Sequence, residues 1–509
     1  MTPFHLAMLP VLIPAIVAPL ALLAMRRRRI VGVGLSVAGC LAMLAVALAL
    51  FFTAQDGAVR VYALGAWPPP FGIVLVVDRL TTIMLVLAAI LATLVMLHAV
   101  LTGLDRKGWH FHPMFQFQLL GLNGAFLTGD LFNLFVFFEV LLIASYGLML
   151  HGQGAARFKA GVQYVIVNVV GSTLFLVALG MLYGLTGTLN MADMAVRVAT
   201  LPPGDQGLLR AAALLLVAVF ALKAALAPLH LWLPRSYAVT APAVAALFAI
   251  MTKVGVYSII RVVPLVFGDD AGAAAWVPAP WLLPAALVSA WLGFAGIFVA
   301  RDVREQAAYA TVGSTSVLIV AVSMWTQDAM AAALYYLPHS ILAGASLFLI
   351  ADTLDRRRGT YGCNATPSPR FRDQEGLAGL FMLAAIALAG LPPLSGFIGK
   401  LLILRTSFGY DATPWIWATI LGTTLIGIIG FARTGSAIFW KGASEHGDAV
   451  CRDRSKRRGD LIAPAALLTL LAALTLGAGW VTAQTQAAAA QIFAPERYIE
   501  AVLGKGAVR

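Results

Sequence analysis

Apolar residues run through this chain in blocks of about twenty, separated by short polar stretches. A block of that length carries an α-helix across a hydrocarbon layer about 30 Å thick. The blocks predict helical spans at 4–24, 31–52, 76–101, 113–129, 131–150, 161–185, 208–231, 241–267, 281–300, 306–325, 329–351, 376–405, 414–440 and 461–483. The runs at 113–129 and 131–150 are short, and the stretch containing them permits other divisions. The expected fold class is an all-α polytopic membrane protein with about fourteen transmembrane helices.

Two of these spans are interrupted by proline. One reads FALKAALAPLHLWLP, with Pro228 and Pro234; the other reads ALAGLPPLSGFIGKLLIL, with Pro392, Pro393 and Gly396. Proline removes a backbone donor and clashes with the preceding turn. Broken backbone at membrane depth is tolerated only where protein or a wet cavity surrounds it. Interrupted spans in matching positions of two halves point to a transport site. Here they are the seventh and twelfth spans, so a repeat of five helices fits. The lysines differ in placement: Lys223 precedes its proline, and Lys400 follows Pro393.

Composition agrees. Hydrophobic residues make up 61% of the chain and charged ones 11%, against about 25% charged in soluble proteins. The net charge of +12 reads as a topology signal rather than a nucleic-acid surface. With the N-terminus outside, the inside loops collect about 22 of the cations, from Arg26–Arg29 through Arg356–Arg358 to Lys441 and Arg452–Arg458. About eight are left outside, an asymmetry that fixes orientation and places both termini outside. The first apolar run is followed, not preceded, by its arginines, so it reads as a span rather than a cleaved signal. Cys40, Cys363 and Cys451 show no metal-binding spacing. No metal site, flavin, nicotinamide or cluster motif is found, so no cofactor and no enzymatic chemistry are expected. His110 and His112 fall in a loop and are given no role.

The chemistry sits in charges within apolar spans: Glu139 in LFNLFVFFEVLLIASYGL, Lys223 in LLLVAVFALKAALAP, Lys253 in AALFAIMTKVGVYSII, and Lys400. A charge at the bilayer centre costs at least ~2.5–3.5 kcal/mol. A buried ion pair that pins two helices explains one such lysine; three lysines against one glutamate exceed that explanation. A lysine out of water gives up its proton more readily, so a proton relay is the favoured reading. His230, at the first break, and His339, in ALYYLPHSILAGASLFL, can shuttle protons or simply be satisfied by a hydrogen bond. Thr311, Ser314, Thr315 and Ser316 can carry a hydrogen-bonded water chain or bond their own helix. Asp78 stands where it can cap the third span, and the Pro392–Gly396 break is read as leaving room for water beside Lys400.

At these residues the chain resembles the antiporter-like subunits shared by respiratory complex I and the Mrp (Mnh, Pha) cation/proton antiporters. TGDLFNLFVFFEVLLIASYGL (128–148), KAALAPLHLWLPRSYAVTAPAVAALFAIMTKVGVYSIIR (223–261) and AGLPPLSGFIGK (389–400) carry the likeness. The first is closer to the Mrp D-type subunit, because complex I versions typically have Trp before this glutamate. The resemblance implies an N-terminal three-helix segment (1–112), two inverted five-helix repeats containing broken helices (113–267 and 281–440), and a basic loop, last span and tail (441–509). It makes Glu139 and Lys223 a coupled pair, continues the relay through Lys253 and His339, and ends it at Lys400. It reads Asp78 as a contact to another subunit. The expected function is proton translocation within a multisubunit Na+ or K+/proton antiporter in a bacterial inner membrane, with other subunits, lipid, protons and cations as partners and no nucleic acid. Two alternatives stand beside it: a proton-pumping membrane-arm subunit of complex I or a related hydrogenase, and a purely structural subunit.

Overall fold

The computed structural model describes residues 4–441 and 459–504. Cys451 and the basic stretch 452–458 lie outside the described residues. The rest is mostly helix: α1 Leu9–Arg27, α2 Arg29–Thr53, α3 Arg79–Thr102, α4 Phe111–Leu127, α5 Leu131–Met149, α6 Ala155–Thr186, α7 Met191–Ala199, α8 Gln206–Lys223, α9 Trp232–Val239, α10 Pro242–Phe248, α11 Met251–Val266, α12 Ala279–Val299, α13 Val303–Val322, α14 Gln327–Arg357, α15 Gln374–Ala389, α16 Ser395–Thr406, α17 Thr413–Gly435, α18 Ile462–Leu476, α19 Ala478–Ile492 and α20 Pro495–Leu503. One antiparallel hairpin, β1 Arg60–Ala63 and β2 Val74–Val77, pairs Arg60 with Val77.

Helix stands at every predicted span, with differences that have physical causes. Among the described residues, ten helices are long and apolar enough to cross a membrane, or eleven if α18 and α19, bent by 80°, count as one span. The predicted spans outside that number are those of α4, diluted by His112, Gln116, Gln118 and Asn123; α13, rich in hydroxyls; and the pair α15–α16, which the Pro392–Pro393 segment splits. The predicted span at 208–231 stops as a helix at Lys223, and that at 241–267 is divided between α10 and α11. His112 belongs to the first turn of α4, not to a loop, and is fully buried beside Asp105.

Helix starts follow local chemistry. Asp78, Asp130, Asn190, Asp302 and Thr326 each accept a hydrogen bond from a first-turn N–H of their helix, satisfying donors that have no partner within the helix. Three of these caps also take part in similar isolated bridges, Asp130 with Asn190 and Asp302 with Asn364.

The two proline breaks share one backbone course. Ala225 (φ +54°) and Gly390 (φ +77°) occupy equivalent left-handed positions. The next residue in each, Leu226 or Leu391, donates its N–H five residues back, to Ala221 or Ile386, at 3.0 Å in both cases. A left-handed non-glycine residue costs on the order of 1–3 kcal/mol, so the surrounding packing enforces this turn at Ala225.

Two elements, α10–α11 and α14, are buried along the whole of their apolar windows. Lys253 lies on the first of these elements and His339 on the second. Around them, buried ion pairs fasten the helix ends. Arg261 grips Asp78 with both Nη atoms, at 2.6 and 2.8 Å. Arg357 grips Asp460 at 2.8 and 3.0 Å. Asp352 receives His98 at 3.0 Å and Arg356 at 2.7 Å.

Candidate functional site

Glu139 projects from the middle of α5 and accepts a hydrogen bond from the Ser172 hydroxyl on α6. One turn earlier on α6, Asn168 Oδ1 accepts from Lys223 Nζ at 3.0 Å. Lys223 is the last residue of α8, just before the first break. Glu139 and Lys223, expected as a coupled pair, are each held by their own rung of α6. Side chains four apart on a helix stand about 5–6 Å from one another. Opposite charges on neighbouring rungs still attract through a low-dielectric interior. The two groups remain coupled but unlocked.

The polar line continues through the centre. Lys253, fully buried, donates to Thr315 Oγ1 on α13 at 2.9 Å, and Thr252 meets the same hydroxyl at 3.2 Å. One residue back, Ser314 bonds Ser340 of α14 at 2.9 Å. Beside Ser340, His339 Nδ1 meets Ser395 Oγ at 3.0 Å, at the start of α16. Lys400, five residues on, donates to Ala389 O at 2.8 Å and Thr424 Oγ1 at 2.7 Å, with Phe294 beneath it at 5.0 Å. Gly396 was expected to leave room for water. Instead a Cβ there would lie 2.2 Å from Ala387 O and 2.7 Å from the His339 ring, so its missing side chain admits the histidine.

Four other candidates stand apart from this line. Thr311 and Ser316 return their hydroxyls to Ala307 O and Val312 O of their own helix. His230 is buried at the first break, and its Nδ1 has no partner among the described residues. Asp78 caps α3 through Thr81 N and is otherwise spent on Arg261. This carboxylate is 3% exposed and doubly bonded within the chain, so it serves as an internal tie.

Residues 128–427, spanning both breaks and every buried lysine, match the family described as NADH:quinone oxidoreductase/Mrp antiporter, transmembrane. The chain belongs to this family. It is 37% identical to the D subunit of a probable K(+)/H(+) antiporter from Rhizobium meliloti (strain 1021), covering 98% of this chain and 97% of that one. It is 36% identical to the D subunit of the Na(+)/H(+) antiporter from Alkalihalophilus pseudofirmus, covering 98% and 99%. Among solved structures it is similar to a chain of the Mrp complex from Dietzia sp. DQ12-45-1b, with a TM-score of 0.85, 27% identity and coverage of 99% and 100%.

Within this Mrp-type chain, sequence reasoning found the charged members of the line and missed most of their neutral partners. Asn168, Ser172, Ser340, Ser395 and Thr424 are small polar residues in apolar helices, with nothing local to separate them from hydroxyls that bond their own backbone. Ser395 carried one usable signal, since it lies between the Pro392–Pro393 pair and Lys400.

Proposed function

We propose that this chain is the proton-translocating subunit of a multisubunit monovalent cation/proton antiporter of the Mrp type. Protons pass along the buried line Glu139, Lys223, Lys253, His339 and Lys400. One observation carries the reading. Lys223, Lys253 and Lys400 are at most 8% exposed, and each hydrogen bond they make is to a neutral oxygen: Asn168, Thr315, or Ala389 and Thr424. Two buried arginines behave oppositely, with Arg261 on Asp78 and Arg357 on Asp460; a third, Arg358, lies in the loop after α14 among Ser368 and the carbonyls of Gly362 and Asn364, outside the apolar spans. A helix-pinning role calls for the carboxylate-paired arrangement, because an uncompensated buried charge is costly. A neutral acceptor suits a lysine that must exist both with and without its proton.

Several features support the finer architecture of two inverted five-helix repeats, α4–α11 and α12–α17. The two breaks trace the same backbone course, and the starts of α5 and α13 carry similar aspartate caps and bridges. On the orientation given by the basic loops, with both termini outside a bacterial cell membrane, those two starts face opposite sides. About fourteen crossings follow once α4, α13 and the broken α15–α16 are included.

Glu139 keeps part of its surface open, among exposed Phe132, Val136 and Ile143 of α5. A carboxylate facing hydrocarbon is expensive, so another subunit of the complex covers this face. The curated relatives that match nearly end to end are named as D subunits of antiporters, which favours this reading over a complex I membrane arm. The test is cation-driven proton flux in everted vesicles from an antiporter-deficient host. The complete set of subunits restores it and this chain alone does not; robust exchange by the purified single chain contradicts the multisubunit reading.

A further inference from the structure

Two neutral side chains of α6 stand between the first two charges of the relay. We infer that Asn168 and Ser172 are positioning residues: a two-rung ladder that holds Lys223 and Glu139 one helical turn apart and sets how firmly Lys223 keeps its proton. The inference rests on the relay reading above and deepens it.

The orientation of the first rung is fixed. Asn168 Nδ2 donates to Tyr164 O at 2.8 Å, which turns Oδ1 toward Lys223. The flipped amide would aim donors at the ammonium and oxygen at a carbonyl, so the network selects one assignment. Tyr164 is itself anchored to α5 through Ser145 Oγ at 2.9 Å. Between the rungs, Gly171 lets α8 approach: a Cβ there would meet Leu222 at 2.5 Å and lie 3.9 Å from Lys223 Nζ.

The chemistry of the rungs suits a group that changes charge. An amide oxygen accepts equally from an ammonium or an amine, and a hydroxyl can donate to a carboxylate or accept from a carboxylic acid. Neither protonation state leaves a buried group unsatisfied. A carboxylate at position 168 would instead clamp the ammonium. Beside the first rung, Tyr164, Asn168, Lys223, Trp232, Met251 and Val254 line a cavity of about 20 Å³, enough for one water. Two of those residues belong to α11, the helix of Lys253, so a proton leaving Lys223 has space on the side of the next lysine.

The test uses the whole complex in everted vesicles, recording antiport against pH for wild type, Asn168→Asp and Ser172→Ala, with subunit levels and assembly checked in the same membranes. Asn168→Asp places a negative charge on Lys223, so its pH profile moves to the alkaline side by about one unit or more. Ser172→Ala removes a donor from the Glu139 carboxylate, loosens its hold on Lys223, and moves the profile by a smaller step to the acid side. A packing role gives no such opposed shifts. If both variants assemble and keep the wild-type profile, or both shift in the same direction, the ladder is refuted. Should Asn168→Asp fail to assemble, Ser172→Ala decides alone: an acid shift supports the inference and an unmoved profile overturns it. Lys223→Ala separates the two levels of the argument. Transport that survives it removes the relay reading and the ladder together. Loss of transport there, with unshifted Asn168→Asp and Ser172→Ala, removes only the ladder.

Discussion

Lys400 and Ala389 are joined across the break in one span, the lysine Nζ donating to the alanine carbonyl at 2.8 Å. The carbonyl is available because α15 ends there, and the last carbonyls of a helix lack partners within it. A helix C-terminus also carries partial negative charge, which favours the charged lysine without locking it as a carboxylate would. Lys400→Ala should therefore assemble normally and lose at least about tenfold in antiport rate. Lys400→Arg should fail to a similar degree, because a guanidinium does not release its proton. Rates of cation-driven proton release in everted vesicles check both. Wild-type transport by Lys400→Arg means that the site needs only charge.

The contact between Gly396 and His339 gives a second expectation. A methyl group at position 396 would strike Ala387 O and the imidazole. Overpacking of this kind costs about 1–3 kcal/mol and forces His339 away from Ser395. Gly396→Ala should lower transport several-fold, while Gly379→Ala, on the preceding helix with open space around it, should leave it unchanged. Equal activity of the two variants in the vesicle assay would show that the His339–Ser395 contact does not matter.

Asp78 and Arg261 make a structural prediction. Asp78→Asn leaves a buried guanidinium without its counter-charge, a loss on the order of 3–5 kcal/mol, and should sharply reduce the assembled protein and its thermal stability in detergent. Arg261→Lys should recover only part, since an ammonium cannot grip both carboxylate oxygens. Normal stability of Asp78→Asn would show that its pairing with Arg261 is not what holds these helices together.

How far the sequence could be read depended on the range of the interaction. Glu139, Lys223, Lys253 and Lys400 stand out because charge in an apolar run is costly wherever the chain folds. The two breaks were legible because proline acts on its own backbone. Pairs distant in sequence left no local trace: Asp78 meets Arg261 across 183 residues and His98 meets Asp352 across 254. The separation of Glu139 from Lys223 was invisible for the same reason, since it depends on which face of α6 turns toward both. The hairpin β1–β2 and the short helices α7 and α20 were missed because the length of an apolar run is silent about polar connectors.

Asp105 supplies a pH prediction outside the spans. It lies between α3 and α4, where burial raises its proton affinity but hydrogen bonds from His112 and Arg29 outweigh that and hold its carboxyl below the ordinary range. A lowered native value means stability that is present above the ordinary carboxylate range and lost as pH falls through the native one. Asp105→Asn should thus lower the melting temperature of the detergent-solubilised complex near neutral pH. The difference from wild type should shrink below about pH 4. A difference independent of pH would show that Asp105 acts through packing alone.

The most direct measurement of the central claim is cation-driven proton flux by the complete complex carrying Glu139→Gln or Lys253→Met, in vesicles where assembly is confirmed in parallel. Both substitutions remove a charge while roughly keeping shape, so a relay predicts assembled complexes with transport reduced to background. Assembled complexes that exchange cations for protons at the wild-type rate would contradict the relay and leave the buried charges as structural.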